Sequence, residues 1–546
     1  MAVDVLDAPR VRPRPGGARL IGSLTGHAIA SFVRAPAATF FTLIFPVTFL
    51  VLVGAMVGGE EVEDGVHVSQ YLVAPFLVFG VAESAFCVLA IHTATLRDNG
   101  VFQRLRGTPV PARVTLASLV AAATVMAVAS AAVLVVVGVT VYDVQIVGDK
   151  VPAALLTLAV GIVCCAALGL AVVSIARSVL AVQALTNGVL IPLAFISNVF
   201  MVGVELPAPL DWLSRALPLR HFADAMLETF DPLTSGKGFR WGDLAMMAAW
   251  AGAGAIIAVR RFGWEPRGSA RVPRLEPSPV DSFAGTLTAA RDAGRPSPWR
   301  LLRAQLGHDL TGMRRERLPV FFAVVMPAGL LLLFPAVVPA DRLNGLPFEN
   351  ALLAGMVAYG IAVAGYVNLP ESLAHVRAGG VLKRLRATPF PPWLYLGGRL
   401  LGTLLLATAL TVTLLAVATL AHGFRLDPAR LPLLIGAVAA TTACFGLLGL
   451  ALLTLMPTAR TVTAVTLGTL VPLSFLSDVF YVGAELPRSL QLVGSVFPLK
   501  HAVALFTAAL RPDAGPGFGW TGLAVVAAWT VAAAGLAARM PWYEKS

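Results

Sequence analysis

Apolar and polar positions along this chain fall into long blocks instead of alternating. Ala38 to Gly58, Tyr71 to Thr95, Val114 to Val141, Pro152 to Ala176, Val179 to Gly203 and Trp241 to Val259 are almost free of charge. At 1.5 Å per helical residue, each is about long enough to cross a hydrocarbon core of roughly 30 Å, so each predicts a transmembrane helix. Leu318 to Ala340, Ala351 to Leu373, Leu400 to Leu420, Leu431 to Met456, Thr461 to Gly483 and Trp520 to Ala537 repeat the plan. The pattern predicts an all-α polytopic membrane protein with twelve spans in two sets of six.

Between the blocks lie shorter, mixed segments. Gly17 to Ala37 carries Leu20, Ile21, Leu24, Ala28 and Phe32 at helical spacing between Arg19 and Arg34, which predicts a helix lying on the inner membrane face. Ser297 as N-cap and Pro298 at the first helical position start a second such helix, with Trp299, Leu302 and Leu306 on one face and Arg314, Arg315 and Arg317 at its end. Glu205 to Thr229 is too polar to span and is broken at Pro218, so it reads as one or two short re-entrant or interfacial helices on the outer side.

The two sets are copies of one another. Pro192 and Pro472, Phe200 and Phe480, Gly203 and Gly483, Glu205 and Glu485, Pro218 and Pro498, and His221 and His501 all stand 280 residues apart. The register slips by one near the ends, as Pro46 with Pro327 and Trp250 with Trp529 show. An even number of spans per half makes both halves enter the membrane in the same sense, related by a pseudo-two-fold axis along its normal. The layout is therefore residues 1–37 as N-terminus and surface helix, 38–262 as the first six-helix unit, 263–296 as a Pro/Arg-rich linker, 297–317 as the second surface helix and 318–546 as the second unit.

Composition agrees with a membrane protein. Hydrophobic residues make up 57% of the 546 positions and charged ones 13%, with a mean hydropathy of +0.79; soluble domains hold roughly 45–50% apolar and 25% charged residues. The net charge of +11 comes from arginines beside the apolar runs, a positive-inside pattern that argues against nucleic acid as a partner. It puts both termini and the linker in the cytoplasm, although Arg215, Arg220, Lys237 and Arg240 run against the bias. Met1 to Arg19 has no continuous apolar stretch of a signal peptide. Cys87, Cys164, Cys165 and Cys444 all lie inside apolar runs, which fits packing better than a disulfide or metal framework.

The candidate chemistry sits in a loop written twice, RDNGVFQRLRGTPVP from Arg97 and RAGGVLKRLRATPFP from Arg377. Each copy joins the second and third span of its half. Arg97 and Arg104 are seven apart on one helix face, and Thr108-Pro109 and Thr388-Pro389 read as the N-cap and first residue of the next helix. A short basic helix tied to the next span by a proline turn is built to receive a push, whereas charge alone would equally serve as a topology signal. These stretches, with PLAFISNVFMVGVELP and LPLRHFADAML in one half and PLSFLSDVFYVGAELP and FPLKHAVALF in the other, resemble the type 2 ABC transporter permeases.

That resemblance implies the membrane subunit of an ATP-driven bacterial exporter in the plasma membrane. The loops would be coupling helices that dock on the ATPase through Arg97, Arg104, Leu105, Arg106, Thr108, Pro109 and their mates Arg377, Arg384, Leu385, Arg386, Thr388, Pro389. The family's acidic residue before the first Arg of that motif is replaced here by Gln103 and Lys383. It also implies two ABC ATPase copies per chain, each holding its own ATP and magnesium, with no cofactor on this chain. The mostly uncharged spans point to a hydrophobic cargo such as a drug, an antibiotic or a lipid-like compound, besides contact with membrane lipid.

Charge at a bilayer centre costs about 2.5–3.5 kcal/mol, so polar residues inside spans mark a candidate path. Asn198 and Asp478 are repeat mates near the outer ends of spans five and eleven, beside Phe200 and Phe480, and read either as an outer gate or as helix caps. Glu83 in span two and Glu371 near the end of span eight have no acidic mate. His221 and His501 read as helix-packing or gate residues. The chain carries no G-x-x-x-x-G-K-[ST], since Ser235-Gly236-Lys237 lacks the upstream glycine. The competing readings are an ion-coupled transporter of the major-facilitator class, which predicts midplane carboxylates and no partner, and a membrane sensor, for which no sizeable soluble domain exists.

Overall fold

The computed structural model describes residues 17–34, 39–57, 61–63, 66–108, 110–200, 206–263, 297–315, 324, 327–335, 342–343, 346–386, 388, 390–456, 459–480, 487–511 and 519–539. The first half comprises α1 (Gly17–Val33), α2 (residues 40–57), α3 (Val68–Asp98), α4 (Val101–Arg106), α5 (Ala112–Tyr142), α6 (Val151–Ile175), α7 (Val179–Ile196), α8 (Ala208–Ala216), α9 (Pro218–Phe230) and α10 (Trp241–Arg261). The second half repeats it as α11 (Pro298–Arg315), α12 (residues 327–335), α13 (Phe348–Ala378), α14 (Val381–Arg386), α15 (Pro392–His422), α16 (Leu431–Leu455), α17 (Ala459–Leu476), α18 (Arg488–Val496), α19 (Pro498–Leu510) and α20 (Trp520–Ala537). Two short strand pairs, Glu61–Glu63 with Val66–His67 and Arg342–Leu343 with Leu346–Pro347, precede α3 and α13.

Among the described residues, eight helices, α3, α5, α6, α10 and their mates, are long and apolar enough to cross a membrane, while α2, α7 and α17 are shorter apolar helices. The span expected over Leu318 to Ala340 is helical at 327–335, and most of its remainder lies outside the described residues. Spans five and eleven end earlier than their hydropathy suggests. Asn198 and Asp478 adopt left-handed backbone angles, φ 56° and 59°, and close α7 at Ile196 and α17 at Leu476. A non-glycine residue pays roughly 1–2 kcal/mol for that conformation, and Asn and Asp tolerate it best.

Within each half the long helix α3 or α13 forms the core, buried along most of its length. Both contain a π turn at repeat-related positions, Glu83–Val88 and Val363–Asn368. There the neighbouring helix comes very close: a Cβ on Gly169 of α6 would lie 2.7 Å from the Phe86 carbonyl, and one on Gly449 of α16 would lie 2.5 Å from that of Gly365. Helix α10 packs along α6 and α20 along α16, while α1 lies on α5 and α11 on α15.

The halves meet reciprocally. Helix α17 touches α2, and Phe195 of α7 lies against Phe334 of α12, ring centroids 4.9 Å apart. This is the contact pattern expected of a pseudo-two-fold axis.

Candidate functional site

The basic loops lie at one end of the bundle and are held there from within. Gly100 and Gly380, at φ 67° and 69°, make the left-handed turn that starts each short helix, a conformation glycine adopts without steric cost. Phe102 and its mate Leu382 are fully buried, Phe102 packing edge-on against Phe262 at the end of α10, 5.9 Å between centroids. Leu105 and Leu385 pack partly buried on the same inner side. Gln103, Arg104 and Arg106 face outward in α4, and Lys383 and Arg384 in α14. Arg104 donates to the Asn99 carbonyl at 3.0 Å and Arg384 to that of Gly379 at 3.3 Å.

Arg97 and Arg377 are not on that surface. Arg97 is 0% exposed and Arg377 6%. Arg97 Nη1 donates to the Val173 carbonyl at 2.7 Å; Arg377 donates to Leu453 at 3.1 Å and Met456 at 2.8 Å. Both guanidinium groups thus satisfy last-turn carbonyls of α6 and α16, where a cation is also favoured by the helix dipole. Asp98 extends the staple, lying 3.4 Å from Arg97 and accepting from the Val179 amide that opens α7 at 3.3 Å. These residues join the loop to spans four and five.

Thr108 and Thr388 also act differently from the N-caps their Thr-Pro spelling suggests. Each hydroxyl donates 2.6 Å back to the carbonyl of Leu105 or Leu385, closing the short helix. The following spans start later, at Ala112 and Pro392, behind Pro111 and Pro391. The residue before a proline is pushed out of the helical region, so Val110 and Phe390 hold off the helix until the second proline is passed. Pro109 and Pro389 lie outside the described residues, and Arg386 ends α14.

Toward the opposite end, six phenylalanines close a ring between the halves. Phe49 meets Phe475 at 4.5 Å, Phe475 meets Phe480 at 5.1 Å, and Phe480 meets Phe334 at 6.5 Å. Phe334 meets Phe195 at 4.9 Å, Phe195 meets Phe200 at 4.9 Å, and Phe200 returns to Phe49 at 5.6 Å. Phe79 and Tyr359, themselves repeat mates, flank it at 4.9 and 5.2 Å from Phe200 and Phe480. Sequence reasoning singles out only Phe200 and Phe480. Phe195 and Phe475 carried the same repeat signal, whereas Phe49 and Phe334 are a turn out of register with each other.

Asn198 and Asp478 anchor the turns beside this collar. Asn198 Nδ2 donates to Asp224 of α9 at 2.9 Å, and Asp224 binds Arg220 at 2.8 Å. In the second half Asp478 lies 3.9 Å from Lys500, the mate of Arg220. Ala504 stands where Asp224 would be, so the carboxylate has moved from helix to turn while the link survives. Burial raises the Asp478 carboxyl above its ordinary range, and Lys500 opposes that. His221 and His501 fasten α8 and α18, lying 2.8 Å from the carbonyls of Arg215 and Ser495; His221 also pairs with Asp243 at 2.6 Å. The break between α18 and α19 is 86°.

Glu83 is buried in the π turn of α3, and that turn packs against α7. Glu371 sits near the loop end of α13, with His375 Nδ1 2.9 Å from its carbonyl oxygen.

Paired halves of spanning helices, each with a basic loop on one face and a bent helix pair on the other, define a polytopic membrane protein made by fusion of two like units. The family model for the ABC-2 type transporter matches this chain twice, over residues 19–230 and 306–510. The chain therefore belongs to the ABC-2 type transporter family, as a tandem fusion, and is a membrane subunit of an ABC transporter whose hydrolysis is carried by an ABC ATPase partner. No curated protein matches it.

Proposed function

We propose that this permease exports hydrophobic solutes, drugs, antibiotics or lipid-like compounds, across a bacterial plasma membrane, with termini and basic loops in the cytoplasm. Each loop docks on one of two ABC ATPase copies, through Gln103, Arg104 and Arg106 on one side and Lys383 and Arg384 on the other. The observation that carries this reading is the division of labour within each loop: outward cations on a helix whose inner face is locked into the bundle.

A push on α4 reaches α10 through Phe102 and Phe262, α6 through Arg97, and α7 through Asp98. Helix α7 carries Phe195 at its far end, and Phe200 follows it, so displacement of its start bears on the collar. In this account the collar, including Phe200 and Phe480, is the outer gate. Asn198 and Asp478 fix the turns on which it rests, and Glu83 lies in the π turn where α3 packs on α7. The family match favours this over ion coupling of the major-facilitator kind.

The test is reconstitution in vesicles with an ABC ATPase from the same genome. Hydrolysis stimulated by an uncharged apolar dye, together with ATP-dependent movement of that dye away from the ATPase side, is the expected result. Stimulation by sugars alone would contradict the cargo class.

A further inference from the structure

The two halves differ at one place in the membrane that the transport reading does not use. In the first half α3, through Ala82 and Phe86, with α6, α7, α9 and α10 lines an apolar cavity of about 410 Å³, within the 300–1,000 Å³ range of small-ligand sites. Its floor runs along α6 from Gly161 through Cys165 and Leu168 to Ile175. That is about 21 Å at 1.5 Å per residue, the proportions of one extended chain lying along the helix. Its rim at Ile175 and Val189 is exposed on the flank of the bundle, 53% and 48%. A bilayer presents only acyl chains there, and the lining side chains offer no carboxylate, amide or hydroxyl.

At the matching place in the second half, side chains bridge the groove. Phe445 stands where Cys165 is, and Tyr366 where Phe86 is, and their rings meet edge-on at 6.4 Å. The Tyr366 hydroxyl lies 2.9 Å from Thr469, which replaces the rim residue Val189. The same framework is thus bridged by Tyr366 on one side and left open on the other.

We infer that the first half binds one acyl chain of a membrane phospholipid in this groove, entering sideways past Val189. The inference does not depend on the cargo or on the ATPase. The experiment places the full chain, without ATPase, in vesicles containing phosphatidylcholine with a diazirine near the end of one acyl chain. After photolysis the adducts are mapped by mass spectrometry.

Adducts are expected on Leu168, Leu185 and Leu193 and not on their mates Leu448, Val465 and Leu473. Cys165→Phe, which installs the second half's residue, lowers them about tenfold, the low end of what an apolar group in a pocket is worth. Val189→Phe, at an exposed rim position that core packing does not constrain, lowers them likewise, while labelling of the outward-facing Val163 stays constant. Equal labelling of both halves, or labelling indifferent to both substitutions, overturns the proposal.

Discussion

At the residue scale, two arginines of the same loop have opposite fates. Arg97 is buried and bonded to the Val173 carbonyl at the end of α6, whereas Arg104 stays at the surface with a carbonyl of its own turn. Spelling alone does not separate them, because a cation beside an apolar run serves as topology signal, helix-end staple or docking group at the same spacing. Burial separates them. Replacing Arg97 with Met leaves a buried last-turn carbonyl without its charged donor, and loss of such a bond costs about 1.5–3 kcal/mol. Thermal unfolding in detergent should show that loss for Arg97→Met, while Arg104→Ala stays within about 0.5 kcal/mol of the parent; equal effects would remove the distinction. The turn residues make the complementary case. Asn198 and Asp478 combine a left-handed backbone with links to Asp224 of α9 and Lys500 of α19.

At the element scale, hydropathy placed the apolar helices, and the repeat placed the loops between them, because a long uncharged run has one stable form in a bilayer. Three features had no such signal. The π turns in α3 and α13 leave no mark in composition and show only as packing. The Thr-Pro pairs imitate a helix start, and it took the second proline to delay the span. The phenylalanines of the collar are what any apolar span contains until a neighbour from the other half is known. The π turns bring α6 within reach of α3 because Gly169 has no Cβ. Gly169→Ala would force a carbon to 2.7 Å from a backbone oxygen, and overpacking of this kind costs typically 1–3 kcal/mol. Gly22→Ala on α1, where nothing lies within 4 Å, should be neutral or stabilising by up to about 1 kcal/mol. Melting temperatures of the two variants, compared in one detergent, check the contrast.

At the scale of the whole molecule, fusion lets the halves diverge while the shared axis is kept. The collar uses three rings from each side, yet Phe49 and Phe334 come from different turns of equivalent helices. The acidic partner of the outer cation moves from Asp224 to Asp478, and the flank cavity is open in one half and tied by Tyr366 and Thr469 in the other. Separate subunits of one sequence could not carry these differences. The loops differ too, Asn99 and Gln103 becoming Gly379 and Lys383, so their outward faces carry unequal charge.

The central claim is that the outward arginines of these two loops receive the ATPase, and one measurement bears on it directly. With the double variant Arg104→Glu and Arg384→Glu, co-purification of the chain with an ABC ATPase from the same genome is scored beside melting temperature. Disrupting interfacial charge pairs typically costs about 2–5 kcal/mol, thirtyfold or more in affinity. The account predicts that the complex is lost while the variant inserts and melts like the parent; undiminished co-purification and ATP-dependent efflux would contradict it.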